Sequence, residues 1–165
     1  MKKFLILCLF FIFFVQLKAC STTILGGVSV IEQVPQELFG SWAVSAVQSY
    51  TNNPQKYNLI PSLDYWTIYK YDNVLTLENP QSGARASVKI KEVVNNTVSF
   101  TRQSKKTESE VTETPTITII GENFFGTDKM VIKNYKNGEL ISTDVVEFTI
   151  RGQKTGGVST AKLLK

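Results

Sequence analysis

Apolar and polar residues alternate along much of the chain, with the period of two that is typical of β-strands. The clearest stretch is "ARASVKIK", residues 84–91, in which every second residue from Ala84 to Ile90 is apolar. Such a pattern turns one face of a strand to a core and the other face to water. Helix-like patterns are confined to short turns near residues 32–38 and 54–60. Eight strands are predicted, at about 40–49, 64–71, 73–78, 84–94, 97–103, 116–121, 129–136 and 139–152.

Turn residues between the predicted strands indicate antiparallel hairpins. The pair Asn137-Gly138 lies between two strand-like runs and tolerates the positive φ angles of a two-residue type I′ turn. Asn95 and Asn96 mark a second hairpin. The stretch "SKKTESEVTETP", residues 104–115, is polar and charged, which predicts a solvated, mobile loop. Many short antiparallel strands predict one all-β domain, either a sandwich or a closed barrel.

The first residues have the arrangement of charged, apolar and small residues that is typical of a secretory signal peptide. Two lysines precede an apolar run from Phe4 to Val15, and the small residue Ala19 closes the segment. A membrane-spanning helix needs about 20 apolar residues, so this run is too short to remain as one. Residues 1–19 are therefore predicted to be a signal peptide that is removed.

The sequence around the predicted cleavage site resembles the lipobox of bacterial lipoproteins. Leu17, Ala19 and Cys20 occupy the lipobox positions, with Lys18 in the place of the usual small residue. The resemblance implies that Cys20 is acylated and anchors the mature chain in a membrane. The alternative is ordinary cleavage after Ala19, which would leave a free thiol. Since Ser21 follows instead of an aspartate, the resemblance implies an outer-membrane lipoprotein that faces the periplasm.

These patterns divide the chain into four segments. Because Cys8 lies in the signal peptide, Cys20 would be the single cysteine of the mature chain, and no intrachain disulfide is predicted. Packing alone must then hold the core together. The segments are a signal peptide at 1–19, a tether at 20–36, a β-domain at 37–152 and a flexible tail at 153–165.

The basic charge of the chain comes largely from the signal peptide. Without Lys2, Lys3 and Lys18, the 18 lysine and arginine residues fall to 15, against 14 acidic residues. The remaining charges are scattered along the chain in both signs. No nucleic-acid partner is predicted.

Residues that the chain lacks exclude much catalytic and metal-binding chemistry. There is no histidine, which is the commonest general base near neutral pH and the commonest metal ligand. Ser-His-Asp and Cys-His sites are therefore excluded, and no metal or cofactor is predicted. A carboxylate pair such as Asp64 with Glu78 stays open as acid and base, although no spacing supports it. A binding protein is predicted, not an enzyme.

Three short motifs follow one another in the order that a family of β-barrels has. The residues concerned are Gly40 and Trp42 in "LFGSWAV", Thr127 and Asp128 in "FFGTDKMVI", and Arg151 in "FTIRG". Together they resemble the Gly-x-Trp, Thr-Asp-Tyr and arginine motifs of the lipocalins and the wider calycin superfamily, with a lysine in the place of the tyrosine. The missing disulfide and the short segment after Arg151 depart from a typical lipocalin.

The resemblance implies a single eight-stranded, antiparallel, up-and-down barrel over residues 37–152. It also implies structural roles at the barrel end. Arg151 is expected to stack on the Trp42 indole, an interaction worth about 0.5 to 2 kcal/mol. Thr127 and Asp128 are expected in the turn between the sixth and seventh strands.

The second predicted strand, "DYWTIYKY", is aromatic on both faces. Tyr65, Tyr69 and Tyr71 share one face, and Trp66 lies on the other. If Trp66 points inward, the tyrosines form an outer stripe that suits a partner protein or a membrane interface. If the tyrosines point inward, they line a cup with hydroxyl groups.

Small residues predict where a ligand would fit. Ala84 and Ala86 leave room at one end of their strand, or they match the taper of a filled barrel. We expect a lipid-anchored envelope protein that binds or carries a small apolar or amphipathic ligand in its barrel. The alternative is a filled barrel that binds an envelope protein on its outer face, as an interaction or inhibitor module. A hydrolase that acts through carboxylates is a distant third.

Overall fold

The computed structural model of the chain describes residues 24–25 and 28–156. The predicted signal peptide and Cys20 lie outside these residues. Two short 3-10 helices, Val30–Gln33 and Gln36–Leu38, precede the main strands. The strands are β1 (Ile24–Leu25), β2 (Val28–Ser29), β3 (Gly40–Thr51), β4 (Ser62–Tyr71), β5 (Val74–Glu78), β6 (Arg85–Val94), β7 (Thr97–Lys106), β8 (Ser109–Ile120), β9 (Asn123–Lys136) and β10 (Glu139–Gly156).

Strands β3 to β10 form a closed antiparallel barrel. Each strand pairs with the next along the chain, and β10 pairs with both β9 and β3, so the last strand closes the barrel on the first. The short strands β1 and β2 form a separate hairpin. The barrel confirms the predicted eight-stranded up-and-down fold, and it decides against the sandwich.

Alternation along each strand sends one set of side chains into the barrel. In β3, Trp42 and Val44 are buried and Ser45 is exposed; in β9, Phe124 is buried and Phe125 is exposed. The barrel interior is thereby filled by apolar side chains over much of its length. The buried cluster comprises Ile31, Val34, Leu38, Trp42, Val44, Trp66, Ile68, Leu75, Leu77, Val88, Val98, Phe100, Ile117, Ile119, Phe124 and Ile150.

One end of the barrel, which we call the plugged end, is closed by the 3-10 helices and by tight turns. Ile31, Val34 and Leu38 of the helical segment join the core there. The hairpin turns at this end have two residues each, at 72–73, 95–96 and 121–122. They use Asp, Asn and Gly residues at positive φ, which these residue types tolerate best.

The ring of Phe124 lies at the centre of the plug. Its centroid is 5.0 Å from the Trp42 ring and 6.0 Å from the Trp66 ring. Gly152 makes room for this ring, because a Cβ built there would lie 2.1 Å from a Phe124 ring carbon. A glycine at this position of β10 is therefore required by packing.

The opposite end, which we call the cavity end, carries the longer connections. They are the loops 52–61 and 79–84 and the two-residue turns 107–108 and 137–138. Asn137 and Gly138 have φ angles of 53° and 84°, as the predicted hairpin turn requires.

Three predicted boundaries are wrong in the structure. Residues 104–115 are not a loop, because β7 continues to Lys106 and β8 begins at Ser109. Residues 30–36 are not a tether, because Ile31 and Val34 are buried in the core. Residues 153–156 continue β10 and pair with β3, so no flexible tail begins at residue 153.

Candidate functional site

A cavity of about 240 Å³ lies at the cavity end of the barrel. Strands β4 to β7 and the loop 79–84 supply its wall. The structure places the predicted residues Trp66, Ala84 and Ala86 in this wall. The remaining lining residues are Asp64, Leu77, Asn79, Ser82, Arg85 and Arg102.

The Asp64 carboxylate holds the indole of Trp66 in place. Its Oδ2 accepts a hydrogen bond from Trp66 Nε1 at 3.0 Å. Its Oδ1 accepts from the Tyr65 backbone N–H at 2.8 Å and from Asn79 Nδ2 at 2.6 Å. Three donors thus satisfy Asp64, which makes it a positioning residue of the cavity wall.

Asn79 fixes the shape of the loop 79–84. Its side-chain Oδ1 accepts the backbone N–H groups of Gln81 and Ser82 at 2.9 and 3.0 Å, as in an Asx turn. Its backbone carbonyl accepts from Gly83, whose φ of 69° suits a glycine. The rim of the cavity is therefore a defined turn.

Arg102 forms an ion pair on the inner face of the barrel. Its Nε donates to Glu113 Oε2, across the pairing of β7 with β8. This bond uses one of the five N–H donors of the guanidinium. Arg102 also lines the cavity, so the ion pair borders the space that a ligand would occupy.

Asp128 lies deeper in the barrel beside this ion pair. The residue is 8% exposed, and its Oδ1 has no hydrogen-bond partner within the described part of the chain. Burial, together with the negative charge of Glu113, raises the pKa of the Asp128 carboxyl to about 6. Arg102 and the backbone N–H of Thr114 act in the opposite direction. The interior thus contains a carboxylate that is costly to ionise.

The loop 52–61 is held to the barrel at the same end by Asp144. This buried carboxylate accepts hydrogen bonds from Lys56 Nζ at 2.8 Å, Tyr57 Oη at 3.1 Å and Asn53 Nδ2 at 3.2 Å. Asn134 Nδ2 of β9 donates to it as well, at 3.0 Å. The hydrogen bond from Lys56 is the largest of the effects that lower the pKa of Asp144 to about 2.

The tyrosines of β4 lie on the outer face, because Trp66 and Ile68 are buried inside. Tyr71 is 55% exposed, and Tyr69 donates its hydroxyl to Glu78 Oε2 at 2.9 Å. Burial and this hydrogen bond raise the Tyr69 pKa. Of the two arrangements predicted for this strand, the outer stripe is therefore the one that forms, with Tyr65 on the same face.

Asp64 and Glu78 do not form a carboxylate pair. Asp64 lines the cavity, whereas Glu78 lies on the outer face, where Arg85 Nη2 is 3.1 Å from its Oε2. The barrel wall separates the two groups. The two carboxylates therefore do not converge on one site.

Arg151 does not stack on Trp42, contrary to the expectation from the family resemblance. Trp42 is buried, and its Nε1 donates to the Leu38 carbonyl at 2.9 Å. Arg151 is exposed, with its guanidinium carbon 5.9 Å from the ring centroid of Phe125. Lys154 takes the expected place, with Nζ 5.3 Å from the centre of the Trp42 ring. The cause is the period of two, which puts Arg151 on the outer face of β10.

Thr127 and Asp128 are not in a turn. The turn between the sixth and seventh barrel strands is at 121–122, and both residues lie in the middle of β9. Thr127 points outward, whereas Asp128 points inward. Gly40, by contrast, does begin the first barrel strand, with a φ of 139°.

Sequence reasoning missed the polar interior, namely Asn79, Arg102, Glu113 and the buried position of Asp128. The signal was weak, because polar residues on the inner face abolish the alternation by which a strand is recognised. Glu113 lay within the segment that was predicted to be a loop. Arg102 lay near the end of the strand predicted at 97–103, and the sequence shows no partner for it.

Comparisons with models of protein families, with curated proteins and with solved structures found no match. Among the described residues, no group of three or more His, Cys, Asp or Glu side chains is arranged to bind a metal ion. That part of the chain also has no helix with the length and hydropathy of a membrane crossing. The fold and the site define an antiparallel barrel with one plugged end and one partly polar cavity.

Proposed function

We propose that this protein binds a small amphipathic molecule in the cavity end of its barrel. The observation that carries the proposal is the mixed wall of the cavity. Trp66, Leu77 and Ala86 offer apolar contacts, whereas Asn79 and Arg102 offer polar ones. Five of the nine lining residues are polar or charged and four are apolar, so the wall suits a ligand with both a polar and an apolar part.

The size of the cavity limits the ligand. At about 30 Å³ for each water molecule, the cavity volume of about 240 Å³ holds about eight waters. This volume lies below the range of about 300 to 1,000 Å³ that is usual for small-molecule pockets. The expected ligand is therefore compact, of the size of a single ring with a short polar substituent.

Ala86→Phe tests the proposal directly, because Ala86 lines the cavity. Isothermal titration calorimetry is carried out with benzylamine, benzyl alcohol and benzoate, which share one ring. We expect at least one of them to bind the natural protein and none to bind the variant. The added ring occupies open volume, so the free energy of unfolding should change by less than about 1 kcal/mol, against about 1 to 3 kcal/mol in a filled core.

Ser87→Phe is the matched control. It adds the same ring to the same strand, but at an exposed position. Binding should persist in this variant. Marked destabilisation by Ala86→Phe, together with a natural protein that binds no member of the panel, would reject a binding cavity.

The outer face supports a second candidate function, an interaction or inhibitor module. Tyr65, Tyr69 and Tyr71 lie outside, and a groove of about 340 Å³ on another part of the outer wall includes Leu63 and Phe125. Leu63 is 63% exposed. Crosslinking from Tyr71 in intact cells of the native host, with capture of one defined envelope protein, would favour this function.

The cellular location of the protein is also a proposal, and it rests on the lipobox-like residues before Cys20. The outer membrane, facing the periplasm, is the proposed location. In the native host, Cys20→Ser should release the protein from the membrane fraction or block its processing. Unchanged membrane association and normal processing would contradict a lipid anchor.

A further inference from the structure

We propose that the ligand of the cavity has a neutral carbonyl group, as a small amide does, and that Arg102 binds the carbonyl oxygen. This inference rests on the proposed function of the cavity and names the chemical class of its ligand. The free donors of Arg102 and the charges around the cavity support it.

The guanidinium of Arg102 has more donors than the protein uses. Its Nε donates to Glu113 Oε2, and the side chain makes no other hydrogen bond or ion pair within the described part of the chain. A guanidinium has five N–H donors and no acceptor, so the four donors on its two terminal nitrogens are left. The side chain is 36% exposed and lines the cavity. A hydrogen-bond acceptor in the cavity therefore meets a charged donor.

The pairing of β7 with β8 holds this donor on the inner face. Arg102 lies directly opposite Glu113, and the buried residues Phe100 and Pro115, two positions away on the same strands, share that face. Arg102 belongs to the cavity wall, whereas Glu113 does not. A ligand in the cavity thus contacts the basic member of the ion pair and not the acidic one.

The charges around the cavity favour a neutral acceptor over a carboxylate. Asp64 lines the cavity, and its three hydrogen-bond donors are all neutral groups. The charge of Arg102 is balanced by Glu113, and the charge of Arg85 by Glu78 on the outer face. An incoming anion would meet the negative charge of Asp64, which lacks a cationic partner in the described residues. A neutral carbonyl oxygen receives a charge-assisted hydrogen bond without that repulsion.

The apolar part of the wall lies beside this donor. Leu77 and Ala86 are cross-strand partners on β5 and β6, and β6 is the neighbour of β7 in the barrel. The ring of Trp66 is fixed by the bond from its Nε1 to Asp64, so its own N–H is already used. A ligand can therefore keep its ring against these apolar side chains while its carbonyl group reaches Arg102.

Isothermal titration calorimetry at pH 7.5 with benzamide, benzoate and benzyl alcohol tests the proposal. Benzamide and benzoate have the same planar shape and differ in charge, whereas benzyl alcohol is neutral and lacks the carbonyl group. Benzamide should bind about tenfold more tightly than benzoate and at least about threefold more tightly than benzyl alcohol.

A double variant, Arg102→Met with Glu113→Gln, removes the guanidinium without leaving its partner charged. In this variant the advantage of benzamide over benzyl alcohol should disappear. Glu113→Gln alone is the matched control, because it keeps the guanidinium. There the advantage should persist, and benzoate should bind more tightly than it does to the natural protein, since a repelling charge is gone. Gln103→Met, at an exposed position of the same strand, should leave all three affinities unchanged.

The outcomes distinguish this inference from the proposed function. If the three compounds bind equally, or benzoate binds best, the carbonyl site is refuted while the binding cavity stands. Binding of benzylamine without binding of benzamide refutes it as well, and so does a benzamide advantage that persists in the folded double variant. If the double variant does not fold, the order of affinities in the natural protein and in Glu113→Gln still decides. If none of the four compounds binds, the proposed function fails and the inference fails with it.

Discussion

At the scale of single residues, Asp128 is destabilising in the free protein. Its folded-state pKa of about 6 lies above the ordinary value of 3.8, so folding favours the protonated form. The contribution of this carboxyl to the free energy of unfolding is therefore most favourable below pH 4, and it decreases as the pH rises from 4 to 6. Above pH 6, a pKa shift of this size lowers the free energy of unfolding by about 2 to 3 kcal/mol.

Asp128→Asn should consequently raise the free energy of unfolding at pH 7.5 by about 1 to 3 kcal/mol, because it removes a buried charge. Urea denaturation at pH 4.5 and pH 7.5 measures this difference. The gain should be smaller at pH 4.5, where the natural carboxyl is largely protonated. Equal or lower stability of the variant at pH 7.5 would show that Asp128 is not strained by burial.

Lys154 and Arg151 differ in the faces of β10 that they occupy. Lys154 Nζ lies over Trp42 and donates to the Glu37 carbonyl at 2.9 Å, whereas Arg151 is exposed. Lys154→Met should destabilise the protein by about 1 kcal/mol, and Arg151→Met by less than about 0.5 kcal/mol. Thermal denaturation of the two variants provides the comparison. A larger effect of the Arg151 substitution would support the stacking on Trp42 that the lipocalin motif implies.

The sequence could predict which residues of β4 share a face, but not which face is inside. Tyr65, Tyr69 and Tyr71 follow the period of two as clearly as Trp66 and Ile68 do. Both sets are apolar enough for a core, so local pattern does not choose between them. Inside the barrel, Trp66 packs on Phe124 of β9, a contact that exists only in the closed fold and that the local sequence does not display.

At the scale of elements, Asp144 binds the side chains of the first half of the loop 52–61, whereas Gln48 holds the backbone of the second half. Asp144 receives donors from Asn53, Lys56 and Tyr57 of the loop. Asp144→Asn should therefore lower the free energy of unfolding by about 1 to 3 kcal/mol. It should also expose the loop to trypsin cleavage after Lys56.

Glu139→Gln is the control for this variant, since it removes one negative charge at an exposed position of the same strand. The pKa of Asp144 is lowered to about 2, so its contribution is present above about pH 4 and is lost as the pH falls toward 2. Hydrogen exchange of residues 52–61 should increase over that interval. Unchanged exchange and proteolysis in Asp144→Asn would mean that other contacts hold the loop.

Strands were predictable where one face is apolar, and not where both faces are polar. All eight barrel strands were located from alternation and turn residues, including the Asn137-Gly138 hairpin. The adjoining parts of β7 and β8 were mistaken for a loop, because most of their residues are polar or charged, among them Lys105, Lys106 and Glu113. Their strand structure depends on cross-strand pairing, which local sequence does not display.

At the scale of the whole molecule, the barrel is made of hairpins and one long-range contact. Pairing of β3 with β10 joins residues about one hundred positions apart, such as Ser45 with Arg151. Because forming such a contact costs much chain entropy, refolding should take milliseconds to seconds. Stopped-flow fluorescence of the two tryptophans, which both contact Phe124, measures this rate. Refolding within microseconds would contradict the closed topology.

The same closure sets an order of events during biosynthesis. The ribosome delivers β3 first and its final partner β10 last, and at about 5 to 20 residues per second the interval is on the order of ten seconds. During that time β3 has an unpaired edge, and the Trp42 and Phe124 side chains have no completed plug around them. Until β10 has been synthesised, the barrel of the nascent chain therefore stays open, in an aggregation-prone form that chaperones can recognise. Any machinery that requires an unfolded substrate has the same interval in which to act.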